Sequence, residues 1–154
     1  MEKLVQFNKT ILIVEDNADL LKIYGEAFNK LFSKVLVACN GREAKKIIND
    51  EWIDIIITDM NMPNGNGMMV IDEAIKFKIP TIVISAHGEL MGTCTMDECI
   101  ICKQKPINIR HLIPVIEELL KKSENKECYL HVVATSLSNT RRKVLDFLAK
   151  FERS

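Results

Sequence analysis

The chain has 154 residues, and its 21 lysines plus arginines are matched by 21 aspartates plus glutamates, so its formal net charge is zero. That length holds one ordinary domain with a full core and a short extra element, and the balanced charge removes the global field expected of a dedicated nucleic-acid or anionic-membrane binder. No run approaches membrane-spanning length, residues 1–10 lack the apolar stretch of a signal peptide, and five cysteines without a secretion signal suggest reduced thiols in the cytoplasm.

Short apolar runs alternate with amphipathic stretches five times. Ile11 to Val14 is a compact β-branched run ending at Glu15 and Asp16. Asn17 to Leu31 then has helical periodicity, with Leu20, Leu21, Tyr24, Phe28 and Leu31 along one side. Val35 to Ala38 predicts a second strand, and Gly41 to Asp50 a helix with Ala44, Ile47 and Ile48 inward. Ile53 to Thr58 predicts a third strand, buried on both faces and ending at Asp59, with Trp52 as core at its start.

The stretch from Met62 to Gly67 is turn punctuation, followed by a helix over Met68 to Phe77. Pro80 to Ile84 predicts the fourth strand, ending at Ser85 and Ala86. A short helix near Glu89 to Asp97 leads to a fifth strand over Cys99 to Cys102, closed by Lys105 and Pro106. Ile107 to Lys122 predicts the last helix of the domain, starting or kinking near Pro114. Residues 1–122 thus form one domain, and residues 123–154 a linker and a C-terminal amphipathic helix. Ser138 or Asn139 would cap that helix, with Val144, Phe147, Leu148 and Phe151 on one face. So short a helix is marginal alone and needs a partner for its apolar side. The main domain, a second subunit or a further domain could supply it.

Five βα units in sequence predict an α/β fold: a doubly wound parallel sheet with helices on both faces, in the flavodoxin-like (βα)5 strand order 2-1-3-4-5. In this arrangement Glu15 and Asp16, Asp59, Ser85 and Lys105 come to the carboxyl ends of different strands, which share one edge and one crevice. Taken singly, each has an ordinary structural explanation, as a helix cap or a loop pair. Together they put three carboxylates in a small volume, which is unfavourable without a cation. Magnesium, a hard ion that keeps waters and accepts a phosphate oxygen, suits that chemistry.

The segments carrying these residues are Ile11 to Asn17, Thr58 to Gly67, Val83 to Ala86 and Lys105-Pro106. Together they resemble the receiver domains of bacterial two-component response regulators, over about Lys9 to Lys122. The resemblance implies that Asp59 is the phosphoacceptor and that Glu15 and Asp16 hold magnesium with it, joined by the backbone carbonyl of Asn61. It gives Ser85 the hydroxyl that turns toward the phosphoryl group and Lys105 the cation that pairs with it. It also implies a cis Lys105-Pro106 bond. The implied function is phosphorelay signalling: a sensor histidine kinase or phosphotransfer protein donates the phosphoryl group, and the switched surface is read by a partner. Such a chain is a phosphoacceptor rather than an enzyme, with at most weak autophosphorylation and autodephosphorylation.

Two features depart from that family. Cys102 stands three positions before Lys105, where an aromatic residue is usual, and Glu98-Cys99 replaces the usual Gly-Ala. Cys94, Cys99 and Cys102 have a C-x4-C-x2-C spacing that some iron–sulfur proteins use, with Cys128 as a fourth thiol. Against this, strand alternation opposes such clustering, and Cys102 reads more simply as a small buried hydrophobe. His87 could flank the crevice but reads as a solvated loop residue, while His111 and His131 show no ligand spacing. A phosphatase of similar topology would carry a second aspartate where Asn61 stands. Two outputs stay open: a stand-alone switch acting by protein contact, and a compact or truncated DNA-binding regulator. Residues 137–148 loosely resemble the first helix of some helix-turn-helix domains, although Arg141, Arg142 and Lys143 are compatible with an ordinary solvated face. Homodimerisation would use the C-terminal helix or the fourth and fifth helices.

Overall fold

The computed structural model describes residues 6–86 and 100–124. Within them lie β1 (Phe7–Val14), α1 (Ala18–Asn29), β2 (Phe32–Ala38), α2 (Gly41–Asp50), β3 (Ile55–Asp59), α3 (Gly67–Phe77), β4 (Thr81–Ser85), β5 (Ile100–Gln104) and α4 (Ile109–Glu124). The strands form one parallel sheet in the order β2-β1-β3-β4-β5. The expected architecture and strand order are therefore present. The helix expected near Glu89 to Asp97 and the tail from residue 125 lie outside the described residues.

Alternation along the strands sorts the core into two layers. Ile11 and Ile13 of β1, with Ile55 and Ile57 of β3, pack beside Phe28 of α1 and Leu112, Ile116 and Leu119 of α4. Leu12, Val14 and Ile56 point the other way, against Ala44 and Ile48 of α2 and Val70 and Ala74 of α3. A third cluster at the β4–β5 side joins Met60, Met68, Ile71, Val83, Ile100 and Cys102. Both faces of β3 and β4 are covered, so every one of their residues is buried.

Asparagines start all four helices among the described residues. The side chains of Asn17, Asn40, Asn66 and Asn108 accept hydrogen bonds from the amides of Leu20, Glu43, Met68 and Arg110. Each cap satisfies an orphan amide and is worth about 1 kcal/mol.

Several boundaries differ from expectation. β1 begins four residues early because Phe7 pairs with Phe32 across a register shift, their rings 4.8 Å apart. β3 begins two residues late because Asp54 turns back on β1. Its carboxylate accepts from the Thr10 amide at 2.8 Å, and its own amide donates to the Thr10 carbonyl. The expectation that Trp52 is core is corrected: Ile53 takes the buried position, and its neighbour is 82% exposed. α4 starts five residues before Pro114 and runs through it, with the proline on the exposed face.

Candidate functional site

The sheet register builds the site. β1 and β3 align Val14 with Thr58, so Glu15 follows beside Asp59. β3 and β4 align Asp59 with Ile84, and β4 and β5 align Ser85 with Gln104. Glu15, Asp59, Ser85 and Lys105 therefore emerge side by side at the carboxyl edge. Glu15, Asp59 and Ser85 are buried, whereas Asp16 is exposed and leaves the cluster open to water.

Carboxylate oxygens of Glu15, Asp16 and Asp59 all lie within 4.8 Å of one another. Lys105 reaches in from beyond β5, its Nζ donating to Asp59 Oδ2 at 2.8 Å and standing 3.7 Å from Glu15 Oε2. Burial, which alone would lower the Lys105 pKa, is outweighed by the hydrogen bond and charge of Asp59 and the charge of Glu15, so the ammonium is held above its ordinary value. Glu15 shifts in the costly direction for an acid. Desolvation first, then the charge of Asp59, raise its pKa, although the Asn17 amide donates to its Oε1 at 3.1 Å. One lysine does not neutralise three carboxylates. The donors are all hard oxygens on one open side, which fits a small divalent cation that keeps part of its water shell.

The backbone around Asp59 is held at close quarters. The amide of Asn61 lies 3.4 Å from Asp59 Oδ1, and Gly67 donates its amide to the Met60 carbonyl. A Cβ on Gly67 would sit 2.7 Å from the Asp59 carbonyl oxygen and 2.8 Å from Met60 Cα, so only glycine lets α3 begin there. Gly65, at φ +105°, makes the preceding turn. The Lys105-Pro106 bond is cis, as the resemblance implied. The Lys105 amide donates to the Ser85 carbonyl at 2.8 Å, tying the ends of β4 and β5 together.

Two residues of the site escaped the sequence reading. In the sequence Gly67 stands out only as turn punctuation, and its closeness to Asp59 arises from the fold. Tyr24 was placed on the apolar side of α1, yet its phenol senses the crevice: burial first, then the Glu15 carboxylate, raise its pKa. Its spacing from Asn17 carried no signal of this. Among the histidines, His111 is exposed on α4, away from any ligand cluster among the described residues, and His87 and His131 lie outside them.

The expectation of reduced thiols is corrected at Cys102. It is disulfide-bonded, and its partner lies outside the described residues, since Cys39 is free. The side chain is still buried on β5, as a small hydrophobe would be. A sulfur bonded to sulfur offers no thiolate, which removes it from the four-thiol cluster.

A doubly wound sheet with an acidic crevice and a lysine at its carboxyl edge defines a class of phosphate-handling signalling domains. Residues 11–117 match the family model described as the response regulator receiver domain, so the chain belongs to that family. It is 36% identical over 89 residues to sporulation initiation phosphotransferase F of Bacillus subtilis, covering 54% of this chain and 68% of that protein. It is 28% identical over 117 residues to the transcriptional regulatory protein GlrR of Escherichia coli, covering 73% of this chain but 26% of the relative. The chain spans about half of another relative, the probable transcriptional regulator ycf27 of Cyanidium caldarium, at 32% identity over 78% of its own length. Among solved structures, a Francisella response regulator receiver domain superposes with a TM-score of 0.66 and 26% identity, over 75% of this chain and 99% of that one. No helix among the described residues is long and apolar enough to cross a membrane.

Proposed function

We propose that Asp59 accepts a phosphoryl group from a phosphohistidine of a sensor kinase or phosphotransfer protein. The observation that carries this reading is the packing of three carboxylates within 4.8 Å beside a lysine 2.8 Å from one of them. Lys105 pairs with Oδ2 and the Asn61 amide faces Oδ1, so both oxygens of Asp59 are oriented, and one of them attacks phosphorus. The new bond is oxygen to phosphorus, and the bond that breaks is phosphorus to the imidazole nitrogen of the donor.

Glu15, Asp16, Asp59 and the backbone carbonyl of Asn61 would hold magnesium. When bound, the ion neutralises charge on the transferring phosphoryl oxygens. Lys105 supplies the protein's own share of that neutralisation, and Ser85 offers a hydroxyl to the product. Because the Lys105 amide is bonded to the Ser85 carbonyl, a pull on either residue moves the ends of both strands. Self-phosphorylation by small donors and slow self-hydrolysis would accompany such a site. Residues 1–122 would be the receiver unit, acting in the cytoplasm, with residues 123–154 as an appended element.

Incubation with a small phosphodonor and magnesium, read by intact mass, tests this. Wild type should gain one phosphoryl group and Asp59→Asn none; equal labelling of both would remove Asp59 from the role. The names of GlrR and ycf27 favour a second reading of the output, a transcription regulator. Salt-dependent DNA binding by the full chain would support that output, and its absence would favour signalling by protein contact alone.

A further inference from the structure

At the end of the sheet opposite the crevice, two large aromatic side chains stand in water. Trp52 is 82% exposed and Phe77 45%. With Ile48, Ile79 and Pro80 they line a groove of about 580 Å³. Its size falls within the range of roughly 300–1,000 Å³ typical of binding pockets. Ile48 and Ile79 are themselves buried, so the exposed apolar surface here is that of the two rings.

The chain delivers its own candidate to this groove. Ser123 and Glu124, the last described residues of α4, line it. Thirty residues follow (154 minus 124), and within them Val144, Phe147, Leu148 and Phe151 have the i, i+3, i+4, i+7 spacing of one helical face. From Glu124 to the capping Ser138 there are thirteen intervening residues (125–137). Thirteen residues span at most about 45 Å, and they start at the groove itself, so residues 138–151 lie within reach of it.

Charge agrees with this assignment. Residues 138–151 carry Arg141, Arg142, Lys143 and Lys150 against the single Asp146. The groove carries Glu51, Asp54 and Glu124 against Lys78. Glu51 and Glu124 already pair with Lys34 and Lys9; the Lys34 pair is solvent-exposed and weakly held, while Lys9 is half-buried and its partner Glu124 faces water.

We propose that residues 138–151 dock intramolecularly on this groove as an amphipathic helix, with Val144, Phe147, Leu148 and Phe151 covering Trp52 and Phe77. Trp52 is the only tryptophan, so its emission reports the groove directly in the full-length chain. The wild type should show blue-shifted emission and weak acrylamide quenching, both independent of protein concentration, with a monomeric sedimentation coefficient. The double variant Phe147→Asp/Leu148→Asp should red-shift the emission and raise the quenching constant severalfold. Hydrogen exchange supplies an independent readout: Phe77→Asp, at an exposed position, should strip protection from residues 138–151 while sheet amides keep theirs. Equal quenching in wild type and double variant would overturn the proposal, as would tail protection indifferent to Phe77→Asp. Trp52 protection that fades on dilution, together with a dimeric mass, would assign the groove to a second copy and also overturn it.

Discussion

The two ends of the sheet break the inside–outside rule in opposite senses. At the carboxyl edge, polar groups that ordinarily seek water are buried: Glu15 is 3% exposed, Asp59 6% and Ser85 1%. At the amino edge, Trp52 and Phe77, which ordinarily seek the core, face water. Between the two edges, every residue of β3 and β4 is buried. Buried polar and exposed apolar groups are the informative exceptions, because each costs stability that the fold alone does not require. One edge gathers carboxylates, and the other leaves aromatic surface facing water.

The largest effect should come from removing the nucleophile. Asp59→Asn should abolish phosphoryl incorporation, measured by intact mass, while leaving Trp52 emission unchanged, since the two edges are separate. A change at Trp52 would mean that they communicate. Lys105→Ala should come next. Loss of a preorganised charge at a transferring group costs a factor of about one hundred in rate, so phosphorylation by a small donor should slow by that order. The same substitution should tighten divalent-cation binding, read by titration calorimetry, because the competing ammonium 2.8 Å from Asp59 is gone. Weaker metal binding would show that Lys105 organises the carboxylates instead of competing with the ion.

Glu15→Gln sharpens the comparison further, because it should help the fold and harm the site. Glutamine keeps an acceptor for the Asn17 amide and removes a charge that burial and Asp59 disfavour. Metal-free stability in urea should rise by about 1 kcal/mol, in the range of single stabilising changes, while divalent-cation affinity falls. The sign with pH follows from the raised pKa of Glu15. Its protonated form is favoured in the folded chain, so its penalty is absent below the ordinary glutamate range and sets in as pH rises through the raised value. The advantage of the variant should therefore disappear on acidification and be full at neutral pH. An advantage that grows toward low pH would place the strain elsewhere.

Much of the carboxyl edge was legible in the sequence because its information is local. Each apolar run ends at its polar residue, and parallel topology brings those ends together, so the sequence alone groups Glu15, Asp59, Ser85 and Lys105. What escaped depends on contacts between segments. Gly67 matters through its distance to the Asp59 backbone, and Tyr24 through the charges facing α1. The start of β3 was misplaced because the hydrogen bond that fixes it, from the Thr10 amide to Asp54, joins residues 44 positions apart. The amino edge was misread for a simpler reason. An apolar pair such as Trp52-Ile53 before a strand looks like core at both positions, whereas alternation admits only one.

Trp52 also gives the smallest predicted effect and the clearest contrast. A buried tryptophan replaced by alanine costs about 3–5 kcal/mol. Trp52→Ala, introduced beside Leu148→Asp to remove any contribution from the tail, should change urea stability by only about 0.5 kcal/mol, as substitutions away from the core do. The indole's hydrogen bond from Nε1 to Asp54 Oδ1 is long at 3.3 Å. Asp54 keeps the Thr10 amide on its other oxygen, so β1 and β3 stay joined without the indole. The same replacement in the otherwise wild-type chain should cost more than this, and the difference measures what the tail gains by covering the ring. A large cost in both backgrounds would return Trp52 to the core and leave the amino edge without an apolar site.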